Sequence, residues 1–400
     1  MTEPARPPMF TREFLLLSIV LACTSAMMAL FFQFHAYLIS LGIDPRWHGF
    51  LLGSDAITGI LLQPFLSPYL HARNAKKVVA AGIIVMAIAL FSYSFAVTTA
   101  TIAFVRIMHG GGFILAVAAM MELFARCIPQ SRSGEGIGIV SILRLVPYAV
   151  IPPLVVYLAG LHYAFTSIVT AAAVFMVFIL IPVAFIRSEG GGDEALRKGV
   201  GLGGLMESLK TVPVVLVLVV NILFYSAYTI LFYFLRDFGE EKGMNNPGFF
   251  FTLAMIVMIV IRAAGSRYFD RANKARLSAV CLVALAICHP LFHFANIEWV
   301  FLALSVIFGV LWGVAIPLIM ALLFDISEAR FRGLNLNLGL VTMQVGFFVG
   351  PLVGGLMVAS WGYGMLFVFC GILNGAGAVL LAGLPHVKRG ALDTKRKRKM

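Results

Sequence analysis

The stretch that decides the fold is FLLLSIVLACTSAMMALFFQFHAY, residues Phe14 to Tyr37. It exceeds the roughly 20 residues that an α-helix needs to cross the hydrocarbon core of a bilayer. Similar stretches fill the chain, because 61% of its 400 residues are hydrophobic and only 12% are charged. A soluble fold needs far more polar surface than this. No small-residue cleavage site follows the stretch, so we interpret it as a first span and not as a signal peptide.

Charges, prolines and glycines divide the chain into twelve candidate helices. Their apolarity is continuous, without the alternation of a barrel strand, and each segment must satisfy its own backbone in lipid. The predicted fold class is therefore an all-α membrane protein with twelve transmembrane helices. The candidate helices lie near residues 14–38, 47–68, 78–97, 100–124, 136–160, 162–186, 212–235, 247–269, 276–293, 297–323, 333–358 and 361–384.

The distribution of basic residues tests this count, because cytoplasmic loops carry an excess of Lys and Arg. Of the 30 basic residues, 24 fall in the tails and alternate loops on one side of the predicted membrane, three on the other side and three within spans. This asymmetry accounts for the net charge of +12 without a nucleic-acid partner. It predicts a multi-pass protein of a plasma membrane, the inner membrane in a bacterium, with both termini cytoplasmic.

The two halves of the chain repeat each other at a fixed spacing. A shift of 199 residues places Gly110 on Gly309 and Pro152 on Pro351. Duplication is the simplest explanation, so we expect two pseudo-symmetric six-helix bundles. The predicted units are the bundles at residues 1–186 and 212–385, a cytoplasmic linker at 187–211 and a basic cytoplasmic tail at 386–400 that meets anionic lipid or only solvent.

Three local patterns stand out against the apolar background. Residues 70–77, between helices 2 and 3, read LHARNAKK, and residues 269–274, between helices 8 and 9, read FDRANK. On helix 4, residues 106–112 read RIMHGGG. Helix 11 carries GPLVGG at residues 350–355.

These patterns resemble signatures of the major facilitator superfamily of secondary transporters. The two loops are similar to its G-x-L-a-D-R-x-G-R-R motif, and the pattern on helix 4 to its R-x-x-x-G motif, which the family associates with proton coupling. The GPLVGG string resembles the antiporter motif, which the family places on helix 5. The resemblance, closest to efflux-type members, implies alternating access by two rocking bundles. It also implies gating roles for Arg73, Lys76, Lys77, Asp270, Arg271 and Lys274.

Charged residues within the spans are the candidates for ion coupling, because a buried charge needs a partner or a water-filled cavity. Asp55 on helix 2 is the only carboxylate well inside a predicted span, and Arg106 and His109 share a face of helix 4. Asp55 either titrates with the coupling proton, which burial favours and Arg106 opposes, or forms a permanent ion pair between helices 2 and 4. His109 either titrates as well or is a hydrogen-bonding core residue.

The three arginines within spans, Arg106, Arg144 and Arg262, outnumber Asp55. A cavity of that sign favours an anionic or zwitterionic substrate. Each arginine also has a structural interpretation. Arg144 either contacts substrate or snorkels or pairs with Glu122, and Arg262 either contacts substrate or makes a bond near the cytoplasmic mouth of helix 8.

Tyr225 and Tyr228 share a face of helix 7, and aromatic groups line many small-molecule sites, although they pack between helices equally well. The candidate substrate-cavity residues are Gln33, His35, Arg144, Asn221, Tyr225, Tyr228, Arg262, Trp312 and Gln344. Small residues spaced four apart predict close helix contact. The candidate packing residues are Gly110, Gly346, Gly350, Pro351 and Gly354.

The sequence has no GxxxxGK[ST] loop, HExxH or GxSxG motif and no cysteine-histidine cluster, so we expect no ATP drive, no metal or other cofactor, and no enzyme. The preferred hypothesis is a secondary active transporter that moves a small organic solute across the lipid bilayer, functions as a monomer and couples efflux to protons. Two alternatives stay open: proton-coupled uptake of an organic anion, and a lipid flippase or non-transporting sensor on the same fold.

Overall fold

The structure is a computed structural model that describes residues 8–66, 69–70, 72–129, 132–187 and 202–384. Within these ranges the regular elements are all helices. Ten of them are long and apolar enough to cross a membrane. One of the ten, Arg332–Ala382, contains two spans that meet at Gly362, where φ is 74°. A further apolar helix, Phe249–Gly265, is shorter. The chain therefore has the twelve predicted spans. The predicted tail and most of the predicted linker lie outside the described residues.

We number the spans α1 to α12 in chain order. Every predicted helix overlaps one of them, and the two sets differ only at their ends. A short helix, Leu202–Leu209, precedes the second half. The spans are α1 (Arg12–Ser40), α2 (Pro45–Leu66), α3 (Ala72–Ser92), α4 (Thr99–Cys127), α5 (Ser133–Gly160), α6 (Phe165–Phe185), α7 (Val212–Glu241), α8 (Phe249–Arg271), α9 (Lys274–Phe294), α10 (Glu298–Ile326), α11 (332–361) and α12 (363–382).

Capping side chains fix where several spans begin. The Thr11 hydroxyl accepts a hydrogen bond from the Phe14 N–H at the start of α1, and Thr98 forms a reciprocal capping box at the start of α4. At the start of α2, the Asp44 carboxylate accepts the Arg46 N–H at 2.9 Å. That bond to the charged form holds the pKa of Asp44 below its usual value.

The predicted end of helix 7 is wrong. The prediction ends helix 7 near 235, before its first charges, whereas α7 continues to Glu241. Arg236 pairs with Glu240 one helical turn later, at 2.7 Å, and this pairing stabilises the additional turns. Asp237 consequently lies inside α7, so Asp55 is not the only carboxylate within a span.

The two halves pack their helices in the same way. A Cβ atom on Gly110 of α4 would lie 2.1 Å from the carbonyl oxygen of Asp55 in α2. In the second half, a Cβ atom on Gly309 of α10 would lie 2.6 Å from the carbonyl oxygen of Ala254 in α8. Both members of the first pair precede those of the second by 199 residues, the shift seen in the sequence. The bundles are therefore pseudo-symmetric in packing as well as in sequence.

Glycine also sets the contact between the bundles. We call the end where α1 begins and α12 ends the termini end, and the opposite end the far end. A Cβ atom on Gly49 of α2 would lie 2.3 Å from the Pro351 carbonyl oxygen of α11. Its counterpart at the 199-residue shift, Gly248, lies just before α8, and its Cβ atom would lie 2.4 Å from the nitrogen of Pro153 in α5. Backbone thus meets backbone at two equivalent places.

A proline in α5 supplies a further contact between the bundles. Pro153 has no N–H, so the carbonyl of Ala149, four residues earlier, lacks a donor in its own helix. The Thr252 hydroxyl of α8 donates to that carbonyl at 2.6 Å. A backbone acceptor that lipid cannot satisfy is therefore satisfied from the opposite bundle.

Most of the close backbone contacts between the bundles fall in the far-end half of the spans. They join α2 to α11, α5 to α8 and α1 to α7. Large apolar side chains cover the outside of the bundles, where they suit lipid; Phe104 of α4, for example, is 68% exposed. The protein is therefore a multi-pass membrane protein whose bundles are closed against each other at the far end.

The substitution Gly49→Ala tests the backbone contact. A methyl group has no room against the Pro351 carbonyl, and overpacking of this kind costs about 1 to 3 kcal/mol. We expect the far end to separate, seen as a longer distance between spin labels at Leu161 and Trp299, which are exposed at the far end of opposite bundles. Gly333→Ala is the control, because nothing lies within 4 Å of its Cβ position. Equal label distances in the two variants would contradict the prediction.

Candidate functional site

The centre of the N-terminal bundle holds a fully buried arginine, Arg106 of α4. One of its nitrogens, Nη2, makes three contacts. It donates to the Leu52 carbonyl of α2 at 3.0 Å, lies 3.2 Å from Oδ1 of Asp55 and donates to the Tyr233 hydroxyl of α7 at 2.5 Å. Tyr233 belongs to the other bundle, so one guanidinium nitrogen joins a carboxylate to the interface between the bundles.

Asp55 reaches this position because α2 is interrupted. The regular helix ends at Gly53 and resumes at Asp55, with the fully buried Ser54 between the two segments. Asp55 therefore lies in the first turn of a helix that starts inside the membrane, where the helix dipole favours a negative charge. The close contact with Gly110 holds this turn against α4, one turn from Arg106.

Aromatic rings enclose the guanidinium group of Arg106. Its central carbon lies 4.2 Å from the ring centre of Phe31 and 4.9 Å from that of Phe34, both on α1. The negative faces of such rings attract the cation, and the rings exclude water from its ion pair with Asp55. The pair is therefore a desolvated one, in which loss of either charge has a large electrostatic effect.

His109 lies beside this pair on α4. It is fully buried, and its ring centre lies 4.9 Å from that of Phe31. Both of its ring nitrogens, like Nε and Nη1 of Arg106, have no hydrogen-bond partner among the described residues. His109 therefore lies close to Arg106 on α4 without a hydrogen bond to Asp55.

A second group of aromatic side chains lies in the C-terminal bundle. The ring of Tyr228 on α7 lies 4.7 Å from that of Trp312 on α10 and 6.2 Å from that of Tyr225. Phe347 of α11 lies 5.4 Å from Tyr225 and stacks with Tyr228 at 6.4 Å. The predicted aromatic residues are therefore brought together by three helices, and Phe347 is an addition that the sequence analysis missed.

Two arginines approach this aromatic group from opposite bundles. Arg144 of α5 and Arg262 of α8 both interact electrostatically with Tyr225, and Arg262 also interacts with Tyr228. Both arginines are half-buried. The proposed pairing of Arg144 with Glu122 is not what the structure shows, since Glu122 pairs with Arg126, 3.3 Å away.

Two of the predicted cavity residues lie in helix contacts. Asn221 of α7 donates to the Gly339 carbonyl of α11 at 2.7 Å and is 2% exposed. Gln344 of α11 packs against Gly59 of α2, with its Nε2 2.5 Å from the position of a Cβ atom there. The structure places Gln33, another predicted cavity residue, in the interior of α1, where it is buried.

His35, also predicted for the cavity, lies at the far end between the bundles. Its Nδ1 forms a hydrogen bond with Oδ2 of Asp237 on α7, and its Nε2 lies 3.2 Å from Nδ1 of His48 on α2. Neither partner was predicted from the sequence. Across the described residues, no group of three or more His, Cys, Asp and Glu side chains is arranged to hold a metal ion.

The loops of the predicted gating motif bind helix ends at the termini end. Lys76 donates to the carbonyls of Ala184 and Ile186, at 2.7 and 2.8 Å, where α6 ends and the helix dipole favours a cation. Lys274 pairs with Asp325 near the end of α10, at 2.5 Å. Of the other motif residues, Arg73 and Lys77 are exposed, and the side chains of Asp270 and Arg271 lie outside the described part of the structure.

The glycines of α11 pack against α7. Cβ atoms on Gly346 and Gly350 would lie 2.8 Å and 2.5 Å from the carbonyl oxygens of Ile222 and Ser226. Gly354 continues the row, with its Cβ position 3.0 Å from the ring of Phe234. The GPLVGG string therefore contacts α7 through Gly350 and Gly354, and α2 through Pro351 and Gly355.

Comparison with known proteins decides the family. The sequence model of the Major Facilitator Superfamily matches residues 14–336 and, in a second segment, 279–400. The chain belongs to the Major Facilitator Superfamily. The resemblance recognised in the sequence is thereby confirmed, and the fold just described, two pseudo-symmetric six-helix bundles, is that of a superfamily transporter.

Several named proteins resemble this superfamily member in sequence or in fold. The multidrug resistance protein MdtG of Salmonella choleraesuis (strain SC-B67) is 25% identical over 335 residues, which are 81% of each chain. Among solved structures, a point mutant of the nucleoside transporter NupG matches with a TM-score of 0.78 at 13% identity, over 92% of this chain and 98% of its own. A D-xylose-proton symporter matches with a TM-score of 0.72 at 13% identity, over 94% and 98%. These structural likenesses show the fold.

In this superfamily member, Tyr233→Phe tests the link between Arg106 and the C-terminal bundle. Hydrogen bonds from charged groups contribute about 1.5 to 3 kcal/mol, so the closed far end should lose stability relative to the open one. We expect a longer far-end label distance between Leu161 and Trp299. Tyr37→Phe is the matched control, because its hydroxyl donates to the Tyr93 carbonyl within one bundle. An unchanged distance in Tyr233→Phe, or an equal change in both variants, would show that the bond does not hold the bundles together.

Proposed function

We propose that this superfamily transporter exports small organic solutes in exchange for protons. The observation that supports it is the shared Nη2 atom of Arg106, which lies 3.2 Å from the Asp55 carboxylate and donates to Tyr233 of the other bundle. A proton on Asp55 removes the negative charge from one side of this atom. The strength of a contact between the bundles therefore depends on whether Asp55 is protonated, which is what a coupling site requires.

Burial makes this dependence strong. Arg106 is fully buried and the Asp55 side chain is 11% exposed, so water replaces little of the lost attraction. Protonated Asp55 leaves Arg106 with the Leu52 carbonyl and Tyr233 as its oxygen contacts. His109, three residues along α4, is fully buried and makes no hydrogen bond to this pair, so we assign proton binding in this region to Asp55 alone.

The aromatic group and the two arginines support an aromatic solute with an acidic group as the substrate. Tyr225, Tyr228 and Trp312 offer ring faces, while Arg144 and Arg262 supply positive charge from opposite bundles. Efflux is favoured by the relative named as a multidrug resistance protein. The same two arginines favour a second candidate, proton-coupled uptake of an organic anion.

The orientation of the chain completes the proposal. The excess of basic residues at the termini end supports a cytoplasmic position for that end in a bacterial inner membrane. The bundles are closed at the far end, so this conformation suits loading from the cytoplasm. Lys76 and Lys274 bind the ends of α6 and α10 within their own bundles, and we assign these contacts to the gating motif at the termini end.

Asp55→Asn tests the coupling role in proteoliposomes. With the membrane potential clamped, we expect wild-type protein to accumulate a fluorescent aromatic carboxylate, such as a fluoroquinolone, on the acidic side of a pH gradient. The asparagine cannot carry the proton, so gradient-driven accumulation should fall about tenfold or more while exchange without a gradient persists. Glu122→Gln, which removes a partly exposed carboxylate paired with an arginine, should leave accumulation unchanged.

The direction of accumulation separates the candidate functions whichever way the protein inserts. Accumulation on the acidic side means exchange for protons, whereas accumulation on the alkaline side means proton-coupled uptake. Full gradient-driven transport by Asp55→Asn would refute the coupling role. Protein-free liposomes correct for passive distribution of the weak acid, and a labelled phospholipid in place of the dye tests the flippase alternative.

The substitutions Arg144→Gln and Arg262→Gln test whether the proposed substrate site depends on positive charge. Each change removes one positive charge while keeping a polar side chain of moderate length. We expect each to weaken binding of the aromatic carboxylate about tenfold, which corresponds to about 1.4 kcal/mol, and to leave binding of its uncharged methyl ester within a factor of two to three. Equal losses for acid and ester, measured by fluorescence quenching, would place the arginines in a structural role.

A further inference from the structure

Three titratable side chains form a chain of contacts across the far end, which we call the histidine bridge: His48 of α2, His35 of α1 and Asp237 of α7. Nε2 of His48 lies 2.8 Å from the Ile43 carbonyl oxygen, and Nδ1 of His48 lies 3.2 Å from Nε2 of His35. Nδ1 of His35 in turn contacts Oδ2 of Asp237. The last contact crosses from one bundle to the other.

The number of protons in the histidine bridge follows from the direction of its hydrogen bonds. A carbonyl oxygen only accepts, so His48 must donate from Nε2 to Ile43. The remaining two contacts, between the two imidazoles and between His35 and Asp237, each need one hydrogen as well. Three contacts therefore require three protons. Two neutral imidazoles and an ionised carboxylate supply only two.

The third proton has three alternative positions in the same closed state. It makes His35 an imidazolium, makes His48 an imidazolium, or protonates Asp237. Without it, one of the three contacts places two lone pairs against each other, and only the contact at Asp237 lies between the bundles. The bridge is therefore complete only with one proton more than the neutral imidazoles and the carboxylate carry.

Because the bridge is buried, a water molecule cannot easily insert into the contact that lacks a hydrogen. His35 and His48 are each 4% exposed, and the Asp237 side chain is 12% exposed. The ring of His35 also packs against Phe234 of α7, with ring centres 4.8 Å apart. A buried polar contact left without its hydrogen is unfavourable. When that contact is the one at Asp237, separation of the bundles relieves it, and the far end opens unless the bridge regains a proton.

Charged neighbours of the bridge balance when the third proton is present. On α7, Arg236 lies 3.5 Å from Oδ1 of Asp237 and 2.7 Å from Glu240. One positive charge on the imidazoles and one on Arg236 then offset the carboxylates of Asp237 and Glu240. Loss of the proton leaves this group with a net negative charge, which adds to the cost of the incomplete contact.

The other elements around the bridge contribute weaker fields. Asp44, ahead of α2, interacts with His48 but is paired with Arg46 at 3.2 Å. Tyr363, at the start of α12, interacts with Asp237 and with Glu241 of α7. Asp44 and Glu240 are exposed at 43% and 45%, so solvent at the far end lies within a turn of the bridge and supplies its proton.

We propose that the histidine bridge is a second proton-binding site, separate from Asp55, which closes the far end only when it holds its third proton. Protons from the far side then act directly on the contact between the bundles. Acid stabilises the closed far end, and alkali releases it. This inference concerns a different site from the coupling pair of Asp55 and Arg106, and it stands without the transport assignment.

The test measures the Leu161 to Trp299 label distance against pH in nanodiscs, without substrate or gradient. The labels are placed in a variant whose five native cysteines are replaced by alanine. We expect the ratio of closed to open far ends to fall about tenfold per pH unit above its midpoint, as release of one proton requires.

Asp237→Asn is the decisive variant. Its amide donates a hydrogen to Nδ1 of neutral His35, so all three contacts are satisfied without an extra proton. We expect a closed far end at every pH. His35→Leu removes the bridge and should give an open-shifted distribution that also ignores pH. His293→Gln, an exposed far-end histidine outside the bridge, should keep the wild-type response.

Several outcomes would overturn the proposal. These are a wild-type distance that does not change with pH, a wild-type pH response in Asp237→Asn, and loss of the response in His293→Gln. Loss in Asp55→Asn with a wild-type response in Asp237→Asn would assign the titration to Asp55 instead. Because no solute is transported in this measurement, failure of the efflux proposal leaves its result unaffected.

Discussion

The closeness of the two bundles depends on a backbone contact that occurs twice. Gly49 meets Pro351, and Gly248 meets the prolines of α5 at the position related by the sequence repeat. Only glycine permits helices to approach so closely. The Arg106 bond to Tyr233 and the His35 bond to Asp237 span the same interface, and each has hydrogen-bond length only because the backbones touch. Both hydrogen bonds therefore depend on glycine residues, which have no side chain.

The two halves share one packing scaffold but differ in their charged residues. Gly110 and Gly309 occupy equivalent packing positions in the two halves. At the same shift, however, Asp55 corresponds to Ala254 and Arg106 to Ser305. The N-terminal bundle therefore contains a buried ion pair that the C-terminal bundle replaces with small residues. The C-terminal bundle instead carries the aromatic group of Tyr225, Tyr228 and Trp312, so the two halves differ in chemistry on one architecture.

The sequence predicts the fold well because span length, apolarity and loop charge are local properties. It also singles out Asp55 and Arg106, since charges in lipid are conspicuous. It cannot tell a polar residue that lines a cavity from one that bonds to a neighbouring helix, as Asn221 does. Nor does it reveal Tyr233 or Phe347, which look like ordinary apolar-face residues. The sequence did not predict that Asp237 lies inside α7, because ion pairs of neighbouring residues, and not its own residue type, keep it in the helix.

The proline in α5 has a consequence for the hydration of the transporter. Thr252 satisfies the carbonyl of Ala149 only while α5 and α8 stay together. When the far end opens, that hydroxyl withdraws and the oxygen is left facing the widening crevice. Hydrocarbon offers no substitute donor, so a water molecule or a cargo hydroxyl or ammonium group must take the place of the threonine. The open far end thus gains a hydrated hydrogen-bond acceptor, the carbonyl oxygen of Ala149, which becomes accessible only after the bundles separate.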